Sequence, residues 1–231
     1  MTAPPPLHLR SLESSGALIG SALVLAALVI IWVARMSQGR DLYVSELGAA
    51  GQPTARWFEG ALLLIVVGGS LIAYAARGIR SRLPAFAIWA PAVSLWIGCG
   101  FFLLASQVTC TTGCPLPVGE SFTWQDLIHT SVAVLAFAAA CFAMLQVSFA
   151  AGHRSLARFS LGAAVAVAMI AGAGGILSLA RFQVKFGSRL ELAATTIALG
   201  WLLILGLVTA LRPVPSIPTG PIEFEAPLPV G

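Results

Sequence analysis

The chain has 231 residues, of which 58% are hydrophobic and only 10% charged, with a net charge of +4. A soluble domain carries about 25% charged residues, so a water-soluble globule is excluded and the lipid bilayer is the solvent this composition needs. The small positive balance fits membrane orientation better than a polyanionic partner, and the sequence holds no nucleic-acid module, phosphate loop or coiled coil.

Apolar runs of about 20 residues are long enough to cross the hydrocarbon core as helices. Helices are required because lipid offers no partner for backbone N–H and C=O groups. The runs are continuous rather than alternating, which disfavours a barrel. The expected fold is therefore all-α, a polytopic six-helix transmembrane bundle.

In chain order, residues 1–15 read as a Pro-rich N-terminal tail with little order. Helix one is expected over 16–36. Its core is too long for a cleaved signal peptide and lacks an A-x-A-like exit, so it is read as retained. A polar loop leads to helix two, 57–76, and then to a tight turn carrying Arg77, Arg80 and Arg82. Helix three is expected over 83–105, with Pro84 in its first turn and a kink at Pro91. The longest polar interruption follows, residues 106–129, with two of the four cysteines. Helix four (127–150), helix five (160–180) and helix six (192–211) complete a single transmembrane domain over 16–211. Residues 212–231 form a Pro-rich tail, expected to be extended or disordered.

Both tails lie on one side of an even-numbered bundle. That side carries Arg10, Arg77, Arg80, Arg82, Arg154, Arg158 and Arg212. The other carries Arg35, Arg40, Arg56, Arg181, Lys185 and Arg189, together with Asp41, Glu46, Glu59, Glu120, Asp126 and Glu191. The cysteine loop has no Lys or Arg, and the short second loop has three Arg. The positive-inside tendency then places both termini in the cytoplasm.

Cys110 and Cys114 would face outward, where disulfides persist. Their Thr-Thr-Gly spacer is turn-like, and a Cys110–Cys114 bridge is the favoured reading; two free thiols are the alternative. Zinc, which takes four ligands, is disfavoured because this loop offers two cysteines and one distant histidine. Cys99 and Cys141 read as small core residues. No cofactor is expected: the helices hold no paired histidines for haem, the one lysine is not mid-helix, and little intramembrane charge is left for an ion pump.

Candidate site residues gather at the outer helix ends. Ser45 and Glu46 lie in the first loop, Glu59 just inside helix two, Asp126 and His129 at the head of helix four. Arg181, Lys185, Arg189 and Glu191 surround the last loop. Asp126 and His129, three apart, share a helix face, and with Ser45 they sketch a Ser/His/Asp arrangement. Thr123-x-x-Asp126 before an apolar run is also the shape of a capping box, at a position the helix dipole favours for a negative charge. Capping is the stronger reading of Asp126, and interhelical hydrogen bonding that of His129. Glu46 could pair with Arg189 or Arg181; alternatively the cations face a lipid headgroup. Helix five places small residues at Gly162, Ala166, Ala171 and Gly175, which predicts a central, tightly packed helix or room for a lipid tail. Helix two has a lesser version at Gly68-Gly69-Ser70.

Tyr43-Val-Ser-Glu-Leu-Gly48, Cys110…Gly113-Cys114-Pro-Leu-Pro117 and Asp126-x-x-His129 together resemble a bacterial and archaeal family of six-helix membrane proteins, the domain of unknown function numbered nine-nine-eight. The resemblance covers about Gly16 to Leu211. The acid that directly precedes an arginine in that family's last outer loop is absent here, where the chain reads Gly187-Ser-Arg-Leu-Glu191. The resemblance implies a six-helix fold, a bacterial plasma membrane and no established activity. The expected function is a lipid-interacting or accessory subunit with a polar pocket at the extracytoplasmic face. Its expected partners are membrane lipids, with another membrane protein as a further candidate and no nucleic acid. A membrane hydrolase or lipid-modifying enzyme using Ser45, Asp126 and His129 is the alternative. A small transporter, disfavoured by the lack of intramembrane charge, is a further one.

Overall fold

A computed structural model describes residues 7–115, 119, 122–150, 154–179 and 184–211. They form six helices: α1 (Leu7–Ser37), α2 (Ala55–Ala75), α3 (Pro91–Gln107), α4 (Trp124–Ser148), α5 (Arg154–Leu179) and α6 (Val184–Leu211). Six spans are long and apolar enough to cross a bilayer. Large apolar side chains such as Leu25, Val67, Val134 and Met169 point outward, as they must where lipid is the solvent. The chain is an all-α, multi-pass membrane protein.

Each helix packs on its neighbours in the chain, α6 returns to α1 to close the ring, and α2 reaches across to α6. The tightest packing is between α1, α2 and α6. A Cβ on Gly20 would lie 2.6 Å from the Gly68 carbonyl oxygen, and one on Gly68 would lie 2.7 Å from the Gly20 carbonyl oxygen. A Cβ on Gly206 would meet Ile72 at 2.9 Å. In lipid, helices associate by close packing rather than by escaping water, so these glycines set the centre of the bundle.

Helix five is not that centre. Gly162, Gly172 and Gly175 face open space, and Met169 and Ile176 are about two-thirds exposed (70% and 68%). Among its glycines only Gly174 meets a neighbour, Leu190 and Gly187 of α6. A run of small residues permits close approach but does not supply a partner.

Several helix ends differ from the sequence expectation. The first helix starts at Leu7, within the stretch read as a tail. Pro91 opens α3 instead of kinking it: Ala90 is extended and Pro91 sits in the first turn, where its missing N–H costs nothing. Pro84 starts a separate 3₁₀ turn, Pro84–Phe86. Thr123 caps α4, its Oγ1 accepting the Asp126 N–H at 3.0 Å, so this helix begins three residues early. The fifth and sixth helices also begin early, at Arg154 and Val184. Lys185, Arg189 and Glu191 are therefore helical residues. Residues 1–6 and 212–231 lie outside the described residues.

The end bearing Arg77, Arg80, Arg82, Arg154 and Arg158 is tied together by Gln146. Its side-chain amide donates to the carbonyls of Phe86 (3.2 Å) and Trp89 (2.9 Å) and accepts from Ser94 Oγ (2.7 Å). Trp89 Nε1 donates to the same Ser94 oxygen. Phe86 stacks on Phe149, centroids 5.3 Å apart. The opposite end, which carries the cysteines, is built differently.

Candidate functional site

The first loop, residues 38–54, folds down into the bundle mouth. Leu42, Val44, Leu47 and Ala49 are buried, so apolar side chains draw it inward, and Ser45–Gly48 makes one 3₁₀ turn. Carboxylates hold that turn. Glu191 of α6 accepts the Val44 N–H at 2.6 Å and the Ser45 N–H at 3.3 Å, and Glu46 accepts the Tyr43 N–H at 2.9 Å. Thr54 Oγ1 ties the turn to α2 by donating to the Leu47 carbonyl at 2.9 Å.

The cysteine loop lies against this one. Ala50 N–H donates to the Cys110 carbonyl at 3.0 Å, and Thr112 Oγ1 donates to the Ala50 carbonyl at 3.1 Å. Cys110 and Cys114 form the expected disulfide, their Cα atoms 5.1 Å apart. The chain reverses through left-handed conformations at Gly113 (φ 81°) and Cys114 (φ 45°), the first of which glycine favours.

Asp126 anchors the loop to α4. Fully buried, its carboxylate accepts from the Thr111 N–H (2.8 Å), Thr111 Oγ1 (2.8 Å) and Thr123 Oγ1 (2.5 Å). His129 Nδ1 lies 2.6 Å from the Val108 carbonyl oxygen. A carbonyl only accepts, so Nδ1 carries the proton and a neutral ring has its lone pair at Nε2. A His129 ring nitrogen and the two disulfide sulfurs lie within 4.8 Å of one another, but the disulfide leaves no thiolate to ligate a metal.

Beneath the two loops is a cavity of about 90 Å³ between α1, α2, α3, α4 and α6. Its walls are apolar, among them Leu62, Phe102, Phe137, Leu199 and Leu202, and it reaches mid-helix depth at Gly98 and Cys99. Ser45, His129 and Glu191 line it, with Thr195 one turn below Glu191. Among the described residues α5 contributes nothing to it, and neither does any Lys or Arg.

Of the expected Ser/His/Asp set, Ser45 and His129 thus reach one cavity. Asp126 is committed to Thr111 and Thr123, and the Val108 carbonyl, not a carboxylate, orients the His129 ring. Glu46 caps its own turn instead of pairing with Arg189. The partner of Arg189 is Asp41, at 3.2 Å, and Asp41 also pairs with the buried Arg35 at 2.8 Å. Hydrogen bonds from the Arg189 and Arg35 guanidiniums hold the Asp41 carboxyl below the usual carboxylate range. These groups border a groove on the flank of α1 and α6, walled by Trp32, Met36, Leu192 and Ile197. Glu59 and Lys185 are exposed and line neither space. Arg181 lies outside the described residues. Sequence reasoning missed Asp41 and Arg35 as a pair and Thr111 and Val108 as loop anchors; the signal for the first was an acid and a base six residues apart across a helix end.

No curated protein and no solved structure matches the chain significantly. The family described as "Protein of unknown function (DUF998)" matches residues 18–208. That match runs from the first membrane-spanning turns of α1 almost to the end of α6, and the chain belongs to the DUF998 family.

Proposed function

We propose that this chain is a plasma-membrane binding protein that holds one lipid, or another molecule with an apolar chain, in the cavity beneath the disulfide loop. The cavity opens on the extracytoplasmic side and both termini are cytoplasmic. Disulfides persist outside the cytosol. Arg77, Arg80 and Arg82 crowd the opposite end, while Asp41 offsets two of the cations at the disulfide end.

The observation that carries the reading is the division of the cavity into apolar walls and one polar end. An empty apolar cavity of this size costs about 2 kcal/mol at ~24 cal/mol per Å³. An apolar chain recovers that cost, and the Ser45, His129 and Glu191 end meets its head. At the opposite end Gln146 ties α4 to the start of α3 and the turn before it, which favours holding a ligand over passing it across.

Native mass spectrometry of detergent-extracted protein tests this. Ala198→Trp, which fills the cavity from α6, is expected to cut retained lipid about tenfold, the effect of losing a site rather than a surface contact. Ile176→Trp on the open flank of α5 is expected to leave retention intact. Equal retention in both variants would overturn the reading. A hydrolase is the second reading, favoured by Ser45 and His129 lining one cavity. Serine-directed fluorophosphonate labelling that disappears in Ser45→Ala would select it over binding alone.

A further inference from the structure

We infer that the cavity selects amphiphiles whose head is a primary ammonium over those with a neutral or anionic head. This rests on the binding reading above and names its ligand class. Among the described residues Glu191 is the only carboxylate lining the cavity, and no Lys or Arg lines it. Beside the Ser45 hydroxyl, Glu191 is held by the backbone N–H groups of Val44 and Ser45. They satisfy one lone pair on each oxygen and bring no positive charge.

Among the described residues the nearby arginines are paired elsewhere. Arg189 stands two residues before Glu191, about 200° around the helix, and pairs with Asp41 at 3.2 Å. Arg35 pairs with the same carboxylate. Among the described residues, neither Lys185 nor Arg189 lines the cavity.

What the polar end offers is acceptors. Glu191 has remaining lone pairs, His129 has its Nε2 opposite the Nδ1 that meets the Val108 carbonyl, and Ser45 has its hydroxyl oxygen. A primary ammonium brings three N–H donors and the charge that the Glu191 carboxylate lacks. An anionic head would add like charge in a site shielded from water, where that repulsion is least screened. Below the carboxylate, Phe102 and Phe137 meet edge to face with centroids 6.1 Å apart, and Phe58 and Trp201 complete an aromatic wall. Aromatic faces attract a cation that has left water.

The test measures equilibrium binding of dodecylamine, dodecanol and dodecyl phosphate to the protein in phosphatidylcholine nanodiscs. Uptake by Ala198→Trp protein is subtracted as partition into the bilayer. Dodecylamine is expected to bind about tenfold tighter than dodecanol, with dodecyl phosphate weakest, as for a desolvated charge pair. Glu191→Gln is expected to bring the amine to within about twofold of the alcohol measured on the same variant. The rank order of the three probes decides the matter on the native chain, even where Glu191→Gln folds poorly.

Equal affinities, or tighter dodecyl phosphate, would overturn the ammonium preference and leave the binding reading standing. Absence of cavity-dependent binding by all three would overturn the binding reading itself. Repeating the amine measurement in phosphatidylethanolamine nanodiscs separates two sources of the same head. A lipid ammonium would compete and weaken dodecylamine, whereas selectivity for a free alkylamine would leave it unchanged.

Discussion

Gly68→Leu is expected to unfold in a detergent extract at a clearly lower temperature than the native chain, while Gly162→Leu is tolerated. At Gly68 the first added carbon would already lie 2.7 Å from the Gly20 carbonyl oxygen, 3.0 Å from Leu23 Cβ and 3.1 Å from Val24 Cγ2. The nearest obstacle is backbone and cannot rotate aside. The first two helices must separate, and the loss spreads to α6, which meets the same junction at Gly206. Overpacking costs about 1–3 kcal/mol when side chains can adjust. Here the cost is expected to be ~3 kcal/mol or more, against a total stability of roughly 5–15 kcal/mol. For a chain of this size that lowers the melting temperature by about 6–12 °C. A Cβ on Gly162 meets nothing within 4 Å, so Leu there faces lipid. Size-exclusion thermostability of the two variants checks the pair. Equal damage would contradict the placement of α5 at the periphery.

Asp126→Ala is the second large effect, and it is expected at the disulfide end rather than throughout the bundle. Its carboxylate accepts from three donors and is fully buried. Removing it strands the Thr111 N–H and hydroxyl and leaves the Thr123 hydroxyl without its acceptor. Hydrogen bonds to a charged group are worth about 1.5–3 kcal/mol each, and a buried donor left unsatisfied costs about 1–3 kcal/mol. Allowing for water entering the opened loop, a net loss of ~3 kcal/mol is expected. Thr111 is next to Cys110, so the loop lifts and exposes the disulfide. A membrane-impermeant phosphine is expected to reduce Cys110–Cys114 more than about tenfold faster in Asp126→Ala, because exchange follows access. Asp126→Asn keeps the shape but turns N–H groups toward donors, and should fall between. An unchanged reduction rate in Asp126→Ala would show that the loop is held some other way.

How far the sequence could be read is clear at particular residues. The six crossings follow from apolar length, the α4 cap from Thr123-x-x-Asp126, and the cysteine pair from its turn-like spacer. Pro91 was harder, because hydropathy runs unbroken through Ile88, Trp89 and Ala90 and hides where the chain stops being extended. Glu191 was read with the surface cations around it because the apolar run of α6 begins only at Leu192. The helix itself starts at Val184, and its phase turns Glu191 inward with Thr195, Ala198 and Leu202 while Arg189 faces out. The Asp41–Arg189 pair joins residues 148 apart in the chain, and composition holds no trace of it. The central packing was misplaced for a related reason. Single glycines at 20, 68 and 206 matter more than the small-residue run of α5, because each meets another helix's backbone or side chain.

The account depends most on an apolar chain entering the space under the two loops. Photo-crosslinking with a dodecanol carrying a terminal diazirine, followed by peptide mass mapping, reads that location directly. The account predicts adducts on the peptides holding Leu62, Phe102 and Leu199, lost in Ala198→Trp. Adducts confined to bilayer-facing residues such as Val134, Met169 and Ile176 would contradict it.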